Sequence, residues 1–141
     1  MANYAKFEAG GLDTWSQWEY AHPALKRPAR GKLFLREPLG LTGMEVSLNT
    51  FPPGAGMPFL HAHREHEELY VFLSGEGEFM VDGERFPVSS GSAVRVAPAG
   101  VRCWRNVGAE PLVYMVVQAK NDSVTDGTIV DGVAVDGKPA W

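Results

Sequence analysis

Apolar side chains in this chain do not recur at helical spacing. They fall instead in short runs rich in Val, Phe, Tyr and Leu, set at near-regular intervals between Gly, Pro and Asp-Gly punctuation. That pattern predicts strands over Lys32–Arg36, Met44–Phe51, Phe59–His63, Leu69–Leu73, Gly77–Val81, Arg85–Val88, Ala93–Val96, Arg102–Arg105 and Leu112–Ala119. So many short strands mean an all-β sandwich or barrel. Two hairpins are expected in the middle of the chain. One is at Ser74-Gly75-Glu76-Gly77, and the other at Asp82-Gly83, a pair that tolerates the positive φ of a tight turn. Pro52-Pro53-Gly54-Ala55-Gly56 reads as a loop leading into the segment that carries His61.

The ends are less patterned. The first 30 residues, with Trp15, Trp18 and Tyr20, lack alternation and read as an arm: a short strand, a 3₁₀ turn or a segment that packs on a neighbouring subunit. The main body is expected over 31–120. The tail over 121–141 repeats Val-Asp-Gly at Val130–Gly132 and Val135–Gly137, which suggests a small appended hairpin.

A chain of 141 residues, 45% apolar and 21% charged, fits one globular domain. A net charge of −4 without a Lys/Arg run gives no electrostatic drive toward nucleic acid or anionic lipid, so neither is an expected partner. No apolar run approaches the roughly 20 residues of a membrane span, and the one cysteine, Cys103, fits a reducing compartment. The expected location is the cytoplasm.

Chemistry concentrates in His61-Ala62-His63. On a strand, side chains two residues apart point the same way, so both imidazoles face one side. Glu68 opens the following strand and shares its face with Tyr70 and Phe72. Two antiparallel neighbours would thus bring two nitrogens and a carboxylate to one point, a donor set suited to Zn, Fe, Mn, Ni or Cu. His66 and Glu67 read as rim residues in the intervening loop, Glu65 as solvated and Arg95 as outward-facing.

The segment Gly56–Gly75, with His61, His63, Glu68 and Gly75, resembles the first motif of the cupin superfamily, although its leading Gly stands one residue nearer than usual. The family's second motif has its trace in Gly91, Pro98, Gly100 and Asn106. The resemblance runs from about Leu33 to Gln118. It implies a single-domain double-stranded β-helix, or jelly-roll barrel, with a site in its mouth, and pairing of two copies as a homodimer. It also implies a small-molecule ligand or substrate beside a divalent metal at His61, His63 and Glu68. Dioxygenase, isomerase and epimerase chemistry are the activities it suggests, against a metal-free binding or sensing module.

The second motif departs from the pattern in one respect that matters: no His follows His66, so the family's fourth ligand is missing. Six residues rather than five separate Gly91 from Pro98. Counting from Pro98 and Gly100 puts Cys103 in the vacant place as a thiolate fourth ligand, whereas counting from Gly91 or Asn106 puts Arg102 there. Strand alternation lets only one of the two face inward. Arg102 with Trp104 inside is the preferred register, and it makes Arg102, Trp104, Tyr70 and Phe72 the candidate ligand-binding residues, with Arg102 suited to an anion. Trp104, Phe72 and Phe79 read equally as plain core, and Cys103 as a nucleophile lacks a Cys-His pairing motif.

Overall fold

The computed structural model describes residues 2–141. A 3₁₀ helix, Leu12–Gln17, is followed by the short strands β1 (Glu19–Tyr20), β2 (Ala29–Arg30) and β3 (Lys32–Phe34), and by the single-turn helix α1 (Arg36–Leu39). The body then comprises β4 (Glu45–Phe51), β5 (His66–Ser74), β6 (Glu76–Val81), β7 (Glu84–Ser89), β8 (Ala93–Val96), β9 (Arg102–Asn106) and β10 (Leu112–Lys120). They form a five-stranded sheet, β3-β4-β10-β5-β8, facing a three-stranded sheet, β7-β6-β9. All pairings are antiparallel. The architecture is a jelly-roll; the two sheets stay separate and are not closed by a continuous ladder into the expected barrel.

The sheets face each other across a core of Tyr70, Phe72, Phe79, Val88, Val96, Trp104, Leu112, Tyr114 and Val116. Phe79 and Trp104 stack with centroids 5.6 Å apart, and the Tyr70 ring packs edge-on against both. These aromatics fill the space between the sheets, as alternation on facing strands requires.

One local expectation holds and three are revised. Asp82-Gly83 does make the tight β6–β7 turn, both residues at positive φ. Ser74-Gly75 does not close a hairpin: β5 and β6 belong to different sheets, and Gly75 is the corner between them. Its φ is +91°, and a Cβ there would stand 2.4 Å from the Pro111 carbonyl oxygen, so only glycine fits. The segment around His61 is not a regular strand. It lies along the free edge of β9 through two isolated bridges, Gly56 with Arg105 and His61 with Arg102. The first bridge projects Phe59 opposite Arg102, yet His61 takes that place, so two extra residues bulge out around Pro58 and leave Phe59 and Leu60 exposed. The tail forms turns and no hairpin, with Val130, Val135 and Trp141 exposed.

The N-terminal arm packs on its own chain. Trp15 is buried against Leu48 and Val113 on the outer face of the five-stranded sheet, with Trp18, Leu33 and Leu73 around them. The Trp15 and Trp18 indoles donate to the Gly10 and Ala9 carbonyls, satisfying the polar edges of rings that cover apolar surface.

Candidate metal centre

The bulge ahead of His61 sets the site. It restores pairing with β9 at a point where His61 and Arg102 stand directly opposite, with reciprocal backbone bonds of 3.3 and 3.0 Å. Partners across an antiparallel bridge share a face, so both side chains enter the space between the sheets. His63 follows on the same side, its backbone N–H held by the Pro98 carbonyl at 2.9 Å. Glu68 reaches the same point from β5, and His66 and Glu67 belong to that strand rather than to a loop.

The ligand atoms of His61, His63 and Glu68 lie within 4.8 Å of one another. Glu68 Oε1 is 2.9 Å from His63 Nε2 and 3.5 Å from His61 Nε2. Adjacent donors on one ion with bonds of about 2.1 Å stand roughly 3 to 3.5 Å apart, a range that both edges from Glu68 meet, and the donor types are those of a two-His, one-carboxylate face.

Arg102 is fully buried, with Nε 3.5 Å from Glu68 Oε1. The Tyr70 hydroxyl donates to the same oxygen at 2.8 Å. One carboxylate oxygen therefore faces four nitrogen or hydroxyl groups, more than its lone pairs can serve. Two of the groups that approach it, His63 Nε2 and Arg102 Nε, are buried without a hydrogen-bond partner among the described residues, and so are His61 Nδ1, Arg102 Nη1 and Trp104 Nε1 on the same side chains and the ring beside them. Orphaned buried polar atoms are costly and rare. Their convergence here fits an ion taken up by imidazole lone pairs, with an anionic group answering the guanidinium.

Protonation agrees with that donor set. Burial works to raise the Glu68 pKa, but hydrogen bonds from His61 and Tyr70 and the charges of His63 and Arg102 outweigh it and hold the carboxyl at about 2. Burial lowers the His63 pKa, and although Glu68 pulls upward, Arg102 and His61 add to the decrease. At neutral pH the site presents a carboxylate and a neutral imidazole, the forms that ligate metals.

Of the two registers of the missing fourth ligand, the fold takes the one with Arg102 inside. Cys103 lies on the other face of β9, half-buried, its thiol 3.4 Å from the Met57 carbonyl, and is not part of the cluster. Tyr70 touches the site through its hydroxyl, and the Trp104 ring meets His61 edge-on at 5.9 Å. Phe72 does not border the site, because its ring is enclosed with Phe79 and Tyr114 deeper in the core. Glu65 is exposed, and Arg95 points outward to Glu67 and Asn121. Asn106 is structural: its amide donates to the Phe51 and Glu110 carbonyls, and its oxygen accepts from Gly108 N–H.

Two polar residues near the site escaped the sequence reading. Gln118 on β10 stands in register with Glu68, and its Oε1 lies 2.9 Å from His66 Nδ1. Lys32 on β3 faces inward, bonded to Asn49 Oδ1 at 2.8 Å. A polar residue within an apolar run, as Gln118 is between Val117 and Ala119, was the available signal for the first.

The fold and this cluster together define the class, and comparison with known proteins agrees. The cupin domain model matches residues 47–118, so the chain belongs to the cupin superfamily. It is similar over 96% of its length to a cupin protein from Bacteroides fragilis, 35% identical, with 99% of that chain covered and a TM-score of 0.77. A candidate sugar phosphate isomerase from Acidithiobacillus ferrooxidans is 28% identical, with 64% of this chain and 59% of that one covered, at a TM-score of 0.58. A predicted oxalate decarboxylase from Thermotoga maritima is 27% identical, with 53% and 64% covered and a TM-score of 0.51. An uncharacterized protein from Methanocaldococcus jannaschii is 33% identical over 71 residues, and the match spans 57% of that curated relative's length.

Proposed function

We propose that this cupin is a metal-dependent enzyme acting on a small organic acid, with His61, His63 and Glu68 holding a divalent ion and Arg102 anchoring the acid's anionic group. The observation that supports this is the crowding of one Glu68 oxygen, bonded by the Tyr70 hydroxyl and approached by His63 Nε2 at 2.9 Å and the buried Arg102 Nε at 3.5 Å, neither of which has a hydrogen-bond partner among the described residues. A divalent ion plus Arg102 against Glu68 alone leaves a net positive cavity, which an anion would balance. When bound, the ion supplies a Lewis acid beside the substrate, a requirement shared by dioxygenase, isomerase and epimerase chemistry. The chain's own residues do the rest. Tyr70 fixes the Glu68 carboxylate by its hydrogen bond, Arg102 orients the substrate anion, and the packed rings of Tyr70 and Trp104 keep water from that wall. The similar proteins whose names carry an activity are named for oxalate and sugar phosphates, both anionic.

A second reading is favoured by one observation, the guanidinium standing 3.5 Å from the carboxylate that would ligate the ion. In it the site is metal-free, and Arg102 with the histidines binds the anion without catalysis. Elemental analysis of protein purified without a metal-affinity tag, beside the His61→Ala/His63→Ala variant, separates the two. One first-row metal near stoichiometry, lost in the variant, supports the enzyme. A wild type that stays metal-free after incubation with Fe²⁺, Zn²⁺ and Mn²⁺ supports the binding module.

We also propose a cytoplasmic homodimer. No helix among the described residues is long and apolar enough to cross a membrane, and size-exclusion chromatography giving a monomer would remove the dimer.

A further inference from the structure

Beside the His61, His63 and Glu68 cluster a cavity of about 460 Å³ opens between the N-terminal strands and the near ends of β4 and β10. Its volume falls in the range of small-molecule sites. Glu19, Tyr20, Lys32, Phe34, Glu45 and Gln118 line it. Gln118 forms the partition from the metal centre, since in the sheet it stands between Glu45 and Glu68 and its Oε1 lies beside His66 Nδ1.

We propose that this cavity binds a zwitterionic amino acid with a flat side chain, its carboxylate on Lys32 and its ammonium at the acidic rim. The floor is Lys32. Its ammonium rests over the Phe34 ring at 4.9 Å and gives a hydrogen bond to the neutral Asn49 oxygen, while no carboxylate lies within ion-pair distance of it among the described residues. An ammonium carries three donors, and burial pulls this one to a pKa of about 8 despite the opposing charges of Glu68 and Glu45. A ligand carboxylate supplies the missing counter-charge.

The rim has the opposite sign. Glu19 and Glu37 are exposed at the mouth, and Glu45 Oε1 is taken by the backbone N–H groups of Arg36 and Val46. The lining holds Lys32 and Arg36 against Glu19, Glu37 and Glu45, an excess of one negative charge. A dianion is repelled there, whereas a zwitterion, with its carboxylate and ammonium on one carbon, matches a lysine set among acidic side chains. Tyr20 and Phe34 line the same cavity, packed edge-on at 4.6 Å, and offer aromatic surface for a flat side chain beyond the charged groups.

The inference stands apart from the metal centre and is tested by calorimetric titration with L-phenylalanine, 3-phenylpropionate and 2-phenylethylamine. The expected result is saturable binding of L-phenylalanine, with each half-ligand weaker by at least about tenfold, the loss of one charge-assisted contact. Lys32→Met should weaken L-phenylalanine to the same degree, while His61→Ala/His63→Ala leaves it within about twofold. If Lys32→Met does not fold, Glu19→Gln/Glu37→Gln carries the test, weakening L-phenylalanine but not 3-phenylpropionate. No binding of L-phenylalanine at millimolar concentration would overturn the proposal. So would 3-phenylpropionate binding as tightly as L-phenylalanine, or loss of binding in the histidine variant, which would place the ligand at the metal centre.

Discussion

Replacing Arg102 by Met tests whether this guanidinium serves the fold or the ligand. The side chain is fully buried, and among the described residues its only hydrogen bond is a long one to the Ala97 carbonyl at 3.4 Å and its one ion-pair partner is Glu68 at 3.5 Å. Two unit charges at that distance in an effective permittivity of about 20 attract by roughly 5 kcal/mol. Moving a guanidinium out of water costs several kcal/mol, so the two terms nearly cancel. Met fills much of the same volume. The expected change on Arg102→Met is within about 1 kcal/mol in either direction, or about 4 °C in Tm, measured by guanidinium denaturation with metal chelated. Glu68→Gln is the contrast. It leaves Arg102 buried with no counter-charge and should cost about 3 to 5 kcal/mol. Affinity should move the other way: Arg102→Met should weaken calorimetric binding of oxalate by tenfold or more, the size of one charge-assisted contact. A loss of 3 kcal/mol or more in Arg102→Met, with oxalate affinity unchanged, would refute the reasoning and make Arg102 a structural strut.

Gly75→Ala should destabilise by more than about 2 kcal/mol, since it adds a clash with the Pro111 carbonyl to a positive-φ penalty, read as a drop in Tm. Trp15→Ala should cost about 3 kcal/mol by opening the outer cluster with Leu48 and Val113, without altering metal stoichiometry. Acid should weaken the metal-free protein in two stages. His63 is harder to protonate folded than unfolded, so stability falls as pH drops below its ordinary 6.5, and Glu68, held at about 2, loses its contribution as pH falls from 4.5 toward 2. Denaturant midpoints across pH should lose the upper stage, just below 6.5, in His63→Ala and the lower stage in Glu68→Gln. The Lys32 amine should titrate near 8 by NMR; because its folded pKa lies below 10.5, its ionisation makes stability rise with pH between those values.

The sheet-forming runs were legible because period-two alternation is local, and eight of the nine expected strands sit within a few residues of the observed ones. What the sequence could not show was which sheet each strand joins. Gly75 carries the same turn chemistry whether it closes a hairpin or turns a corner, and only the Pro111 carbonyl beyond it decides. The His61, His63 and Glu68 cluster was legible, although the route to it differs, since a bulge around Pro58 rather than a regular strand brings His61 opposite Arg102. The same bridge settles the choice between Arg102 and Cys103 that motif spacing left open. Phe72 was misplaced because inward-facing residues of one strand differ in depth, which alternation does not encode. Lys32 was invisible because an exposed and an inward lysine look alike until Asn49 and Phe34 stand beside it.

The most direct test of the metal centre is an anomalous diffraction map from crystals of protein incubated with Mn²⁺. The account predicts one strong peak within bonding distance of His61, His63 and Glu68, with the Arg102 guanidinium turned to the open side of the ion. A map with no peak there, or with the guanidinium still paired to Glu68 in the ion's place, would contradict it.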